Sequence, residues 1–294
     1  MNIVDAHHHF WDPTTHHYPW LNDKPRIPFR YGDYSAVNRR YLPSDYRADS
    51  APYRVVKSVY VEAEWNPRDP VGEMQYIEGL RNEYGLPTVA VAQAWLDDDD
   101  APRILERQAA FRFVRSVRHK PRANPSPSDS EPGGMTDAKW RAGFEEVTRN
   151  GLRFDLQTPW WHLNEAAQLA ARYPDSRIIL NHTGLPSDRS VEGLRGWKRA
   201  MTALSGCPNV TVKISGLGQP GTPWSVATNA GIVRTTIDLF GIERCMFASN
   251  FPVDSLCATF ATIYQGFREI VRDLSPADQG ALFHDNAIRI YDMA

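Results

Sequence analysis

Eight short runs rich in β-branched and apolar residues recur along the chain, at 3–10, 55–65, 87–96, 113–119, 152–158, 177–183, 210–217 and 245–251. Helix-like stretches separate most of them, at 72–83, 102–110, 137–148, 164–172, 192–204, 226–240 and 259–272, with Asp and Pro near several starts. Such alternation predicts a parallel α/β fold. Eight repeats favour closure into a (β/α)8 TIM barrel over an open sheet. At 294 residues the chain suits one such barrel, so a single domain over 1–294 is expected, with a last helical stretch, 276–291, packed outside it.

Two connections depart from the pattern. Residues 11–54 are long, aromatic and proline-rich, and a first βα loop of that kind is expected to fold, mostly irregular, over one barrel mouth. Residues 121–136 form a second long loop rich in Pro, Ser and Gly.

Charge and cysteine content narrow the function classes. Thirty-three Lys and Arg against 35 Asp and Glu leave a net charge of −2, which excludes nucleic-acid or membrane-surface binding driven by bulk charge. Cys207, Cys245 and Cys257 are odd in number and lack CxxC spacing, so neither a disulfide framework nor a thiolate metal site is predicted. The first residues lack the basic start and apolar core of a signal peptide, and no apolar run approaches membrane-spanning length. A soluble cytoplasmic protein with a small-molecule partner is expected, and a homo-oligomer is left open.

The chemistry-bearing residues gather at strand ends, where a barrel builds its active face. Five of nine histidines lie within 7–17. Strand alternation puts His7 and His9 on one face and His8 on the other, so two imidazoles can meet one cation or one substrate oxygen. Strand six ends in Asn181-His182-Thr183-Gly184, presenting His182 after a buried run, as a barrel aims a ligand or an acid/base group; a satisfied core histidine is the alternative. Strand eight ends with Asn250, and Pro252 stops it, leaving Asp254 in the following loop as a carboxylate of the site or as a helix cap. Arg115, Arg118, His119, Lys120 and Arg122 form a basic run suited to carboxylates, or to a solvated surface offset by Asp97–Asp100. Lys213 interrupts an apolar strand and needs an anionic partner, either Glu62 or a substrate. Trp65, with Trp20, Trp95, Trp160 and Trp161, offers an apolar wall for a ring or plain core packing.

These motifs together carry a resemblance. Asp-Ala-His-His-His-Phe-Trp-Asp at 5–12, Tyr-Leu-Pro-Ser-Asp-Tyr at 41–46, Val-Glu-Ala-Glu at 61–64, Asn-His-Thr-Gly at 181–184, Val-Lys-Ile-Ser-Gly at 212–216 and Phe-Ala-Ser-Asn-Phe-Pro-Val-Asp at 247–254 resemble the amidohydrolase superfamily. The similarity is to its amidohydrolase-related branch, which holds sugar-acid lactonases and 2-pyrone-4,6-dicarboxylate lactonase. It implies a His-x-His on strand one, carried by His7 and His9, a strand-six histidine, carried by His182, and a strand-eight aspartate that activates water.

Asn250 occupies that last position, and an amide cannot take a proton from water near neutral pH. Asp254, or Glu62 beside Glu64 on strand two, is then the expected base. A Zn²⁺ on His7, His9 and His182 with an open position for water is one reading. Gln157, standing where the superfamily would use a nitrogen ligand, and lactonases that work without metal support the other. The resemblance implies opening of the lactone of a small carboxylic or sugar acid, and the residues themselves lead to the expectation that Arg118, Arg122, Lys213, Gln157 and Trp65 bind an anionic substrate. A metal-dependent decarboxylase of an aromatic acid and a barrel that binds a carboxylate without turnover are the rival readings.

Overall fold

The computed structural model describes residues 2–293. Its strands are β1 (Asn2–His8), β2 (Arg54–Val61), β3 (Val89–Gln93), β4 (Val114–Arg118), β5 (Arg153–Leu156), β6 (Ile178–Leu180), β7 (Val210–Ile214) and β8 (Cys245–Phe247). They pair in parallel and in sequence order. The last edge meets the first where His9 N–H donates to Phe251 O and Asn250 N–H donates to His7 O, both at 2.8 Å, so the (β/α)8 barrel predicted from the alternation is formed.

The strands are shorter than the apolar runs that announced them, and most of the difference lies at their C-terminal ends. Glu64, His182, Thr183 and Asn250 all have φ between 51° and 57°, a left-handed conformation that non-glycine residues seldom adopt and that ends strand pairing. Backbone strain therefore collects at the ends of β2, β6 and β8, on one face of the barrel.

Packing is in two layers. Val4, Ala6, Val59, Val61, Val89, Val91, Ile179, Met246 and Ala248 fill the barrel interior together with Ile290 and Tyr291. The stretch expected to pack outside instead closes the strand N-terminal end: Arg153 donates to Ile290 O and Arg115 Nε to Asp292 O. Inward-facing valines at the strand starts need an apolar cover, and this amphipathic end supplies it.

Strict alternation from Val4 and Ala6 would aim His8 inward. The chain avoids this with a β-bulge: between Asp5 and His8 it advances three residues while β2 advances two, Ser58 to Tyr60. His7 and His9 face the barrel mouth as a result, and His8 turns outward against the rings of Phe10 and Tyr46, each 4.6 Å away. Burial there pushes the His8 pKa down to about 3.

Residues 11–54 do cover the mouth, though they carry more structure than expected, including a helix at Pro43–Ser50 and a bridge between Trp11 and Tyr41. Trp11 Nε1 anchors the segment by donating to Arg39 O at 2.9 Å. Among the described residues, no helix is long and apolar enough to cross a membrane.

Candidate active site

A cavity of about 380 Å³ opens at the strand C-terminal end, with His9, His182, Asn250, Arg30, Arg118 and Gln157 among its lining. His7 lies beneath His9. Their Nε2 atoms are 3.2 Å apart, and the His7 and His182 ring centroids are 4.6 Å apart. A carbonyl can only accept, so the 2.7 Å contact from His9 Nδ1 to Val61 O puts the proton on Nδ1 and the lone pair on Nε2. His182 Nδ1 meets Ser215 Oγ at 2.9 Å, and its Nε2 has no hydrogen-bond partner among the described residues. Burial holds the His182 pKa well below the usual imidazole range, and the charges of Arg30, Arg118 and Lys213 push it the same way. Burial does the same to His7 and His9, reinforced respectively by Lys213 and Arg118, so all three rings are neutral at neutral pH.

The cations of the basic run and of β7 have protein partners. Arg118 pairs with the Glu62 carboxylate and donates to Glu62 O at 2.7 Å and to Gln157 Oε1 at 2.9 Å. Lys213 meets neither Glu62 nor the cavity. Its Nζ is 2.6 Å from Asp155 Oδ1, and Asp155 also accepts from Ser116, Asn181 and Tyr291 at 2.7–2.9 Å. A buried carboxylate two strands away on the barrel interior, Asp155, satisfied the lysine that the sequence left open. Arg122 is exposed, donates to Pro132 O and is not among the cavity lining. Glu62 and Trp65 line a neighbouring cavity instead.

One cation at this mouth went unnoticed in the sequence. Arg30 makes no hydrogen bond or ion pair with any described residue; its guanidinium lies 4.6 Å from the Tyr31 ring centroid. It sits in the proline-rich part of the first loop, where no periodicity points to a site. Gly216 makes the space for it. A Cβ there would come within 2.7 Å of Arg30 Nη2 and 2.6 Å of His182 Nδ1, and φ is +62°, so only glycine lets guanidinium and imidazole converge.

Asp254 stands one hydrogen bond behind the cavity. Its Oδ1 accepts from Asn250 Nδ2 at 2.6 Å and from the Tyr31 hydroxyl at 2.8 Å. Burial raises its pKa to about 6, against the opposing effects of Arg30, Asn250 and Tyr31. With Nδ2 held this way, the Asn250 amide oxygen is the pole left for the cavity.

The donor set tests a metal. A 3.2 Å separation of two Nε2 atoms suits neighbouring ligands on a tetrahedral ion, whose Zn–N bonds run about 2.0–2.1 Å, and equally suits one N–H···N bond. Beyond that pair the fit fails. Among the described residues no group of three His, Cys, Asp or Glu is arranged to hold a metal ion. The strand-eight position offers a neutral amide, and Arg30 lines the same cavity without an ion-pair partner among the described residues, which disfavours a divalent ion.

Comparisons with known proteins agree with this architecture. A family model described as amidohydrolase matches residues 4–293. The uncharacterized protein y4mH of Sinorhizobium fredii is 37% identical over 98% of either chain. An L-fucono-1,5-lactonase of Burkholderia multivorans is 26% identical, covering 98% of this chain and 95% of that one. The crystal structure of a Burkholderia multivorans amidohydrolase with bound zinc shares the fold over 100% of both chains, with a TM-score of 0.82 at 22% identity.

Proposed function

Because this chain belongs to the amidohydrolase family, we propose that its cavity hydrolyses a carboxylic ester bond within a ring, opening the lactone of a small sugar acid. The observation that carries the reading is the free Arg30 guanidinium converging with neutral His182 over Gly216. Ester hydrolysis needs a base for water and a positive group for the oxygen that becomes negative. These two residues are that pair. The L-fucono-1,5-lactonase relative supports the substrate class.

Water bound to the Asn250 amide oxygen attacks the lactone carbonyl carbon, and His182 Nε2 takes its proton while Arg30 meets the developing oxyanion. Gln157 and Arg118, locked together at 2.9 Å, fix the far side of the ring. Collapse of the tetrahedral intermediate breaks the ring C–O bond, and His182 hands its proton to the leaving alkoxide. Burial, with the nearby cations, keeps His182 neutral and makes its protonated state short-lived, which favours that transfer. His9, held by Val61 O and contacted by His7, orients the wall beside the water. Asp254 acts through Asn250 as a positioning residue. No step requires a metal.

A panel of sugar lactones followed with a pH indicator tests the reading, since each ring opening releases one proton near neutral pH. Turnover of at least one lactone is expected, falling on the order of 10²-fold or more in His182→Asn. Carbon dioxide release from an aromatic acid with no lactone turnover would establish a lyase instead.

A further inference from the structure

Arg30 is the cation of the proposed reaction, and its own backbone does little to place it. Among the described residues, the backbone groups of residues 24–31 take part in a single hydrogen bond, from Gly32 N–H to Phe29 O. The side chains of this segment tie it to the barrel by one hydrogen bond among the described residues, from the Tyr31 hydroxyl to Asp254 Oδ1 at 2.8 Å. So sparsely bonded a segment cannot fix a side chain through its main chain alone.

The guanidinium lies over the Tyr31 ring, with Cζ 4.6 Å from the centroid. That ring is buried and packs edge-on against Phe29 at 5.7 Å, and Phe29 in turn stacks on Trp20 at 6.0 Å and 22°. An aromatic face attracts a guanidinium without accepting a conventional hydrogen bond from it. The distinction has chemical weight. A carboxylate partner takes up N–H donors and cancels the charge, as Glu62 does for Arg118, whereas a ring leaves the full charge and all five donors for an oxyanion. The ring is itself pinned, because the Asp254 oxygen that accepts from the Tyr31 hydroxyl also accepts from Asn250 Nδ2 at 2.6 Å. A cation carried by the loop is thereby held in register with the end of β8.

We propose that Tyr31 is the positioning residue for Arg30: its ring holds the guanidinium at the cavity without neutralising it, and its hydroxyl fixes that ring to the barrel through Asp254. The catalytic half of this rests on the lactone-hydrolase reading; the placement of Arg30 by Tyr31 does not.

Placement is read by NMR on the Arg30 side chain, whose Nε signal is assigned by its loss in Arg30→Gln. In the wild type the Arg30 Hδ and Hε protons should show the upfield shift of atoms above a ring face. In Tyr31→Leu that shift should vanish and the Nε–H order parameter should fall below about 0.6, while Tyr31→Phe keeps both near wild type. Unshifted protons in the wild type, or an equally ordered Arg30 in Tyr31→Leu, overturn the proposal. The wild-type shift needs no variant, and Tyr31→Met, which fills the space with a flexible apolar chain, replaces Tyr31→Leu if the latter does not fold.

Catalysis is read by steady-state kinetics on the lactone turned over fastest in the panel. Tyr31→Leu should lose about 10²–10³ in kcat, as Arg30→Gln does. Tyr31→Phe, which gives up one hydrogen bond and keeps the ring, should stay within roughly tenfold of wild type. Adding Tyr31→Leu to Arg30→Gln should cost less than about threefold more, since the two act as one unit. Equal losses with and without Arg30 would make Tyr31 a packing residue and overturn its positioning role. If no lactone is turned over while the Arg30 signals respond as expected, the hydrolase reading falls and the placement of Arg30 by Tyr31 stands.

Discussion

Asn250 donates its side-chain N–H to Asp254 across 2.6 Å. An aspartate at position 250 would set two carboxylates at hydrogen-bond distance in a fully buried place, where both cannot be ionised together. The amide and the carboxylate behind it are therefore matched to each other, and Tyr31 completes the arrangement with a 2.8 Å bond to the same oxygen.

Asn250→Asp should consequently lower the thermal midpoint at pH 7.5, by a loss on the order of 1–3 kcal/mol. It should also create a zinc response, because the pair His7–His9 gains the anionic ligand it lacks. Thermal unfolding with and without added Zn²⁺ reads both effects. An unshifted midpoint that ignores zinc would contradict the matched pair.

Arg30→Gln should separate catalysis from stability. The guanidinium has no hydrogen-bonding partner among the described residues to lose, so the unfolding free energy should stay within about 0.5 kcal/mol of wild type. Loss of an oxyanion-facing charge should cost about 10²–10³ in kcat. Chemical denaturation and steady-state kinetics on the same preparation check the pair of outcomes; unchanged turnover would remove Arg30 from the mechanism.

Lys213→Met should do the reverse. Burial alone would drive the Lys213 pKa down, and Asp155 opposes it. Deleting the lysine leaves Asp155 buried without its counter-charge, a loss on the order of 3–5 kcal/mol. Adding Asp155→Asn should recover part of it, and KM should hold in whatever variant folds. A KM change without a stability change would return Lys213 to the substrate.

The pH dependence of stability follows from Glu73, on the helix Gly72–Tyr84. Burial, then the nearby Glu62 charge, raises its pKa from 4.5 to about 8, while Ala63 N–H and the Tyr60 hydroxyl oppose the rise. The folded state thus holds a proton that the unfolded chain releases near 4.5, so this group's stabilising contribution is full below that value and is lost as pH rises through about 8. Glu73→Gln, a neutral isostere, should flatten the slope over that window in denaturant titrations run at several pH values. An identical slope in the variant would assign it to other groups.

The apolar runs and the stretches between them were enough to specify the barrel, because period and spacing are local properties that survive in any one sequence. Residue chemistry at the strand ends was legible for the same reason: His9, His182, Asn250, Arg118 and Gln157 all reach the cavity. What pairing chooses was not legible. Which of His7 and His8 faces inward depends on a one-residue bulge against β2, and a register shift leaves no periodic mark. Lys213 reads as an unpaired charge until β5 brings Asp155 to 2.6 Å from residue 213, 58 positions away. Arg30 becomes a site residue only when its loop folds back over Gly216. Composition and spacing determined the architecture and the kind of side chain at its mouth. Tertiary contacts between distant segments decided which charges are neutralised and which one is left free to act, since electrostatic partnership depends on distance in space and not on position along the chain.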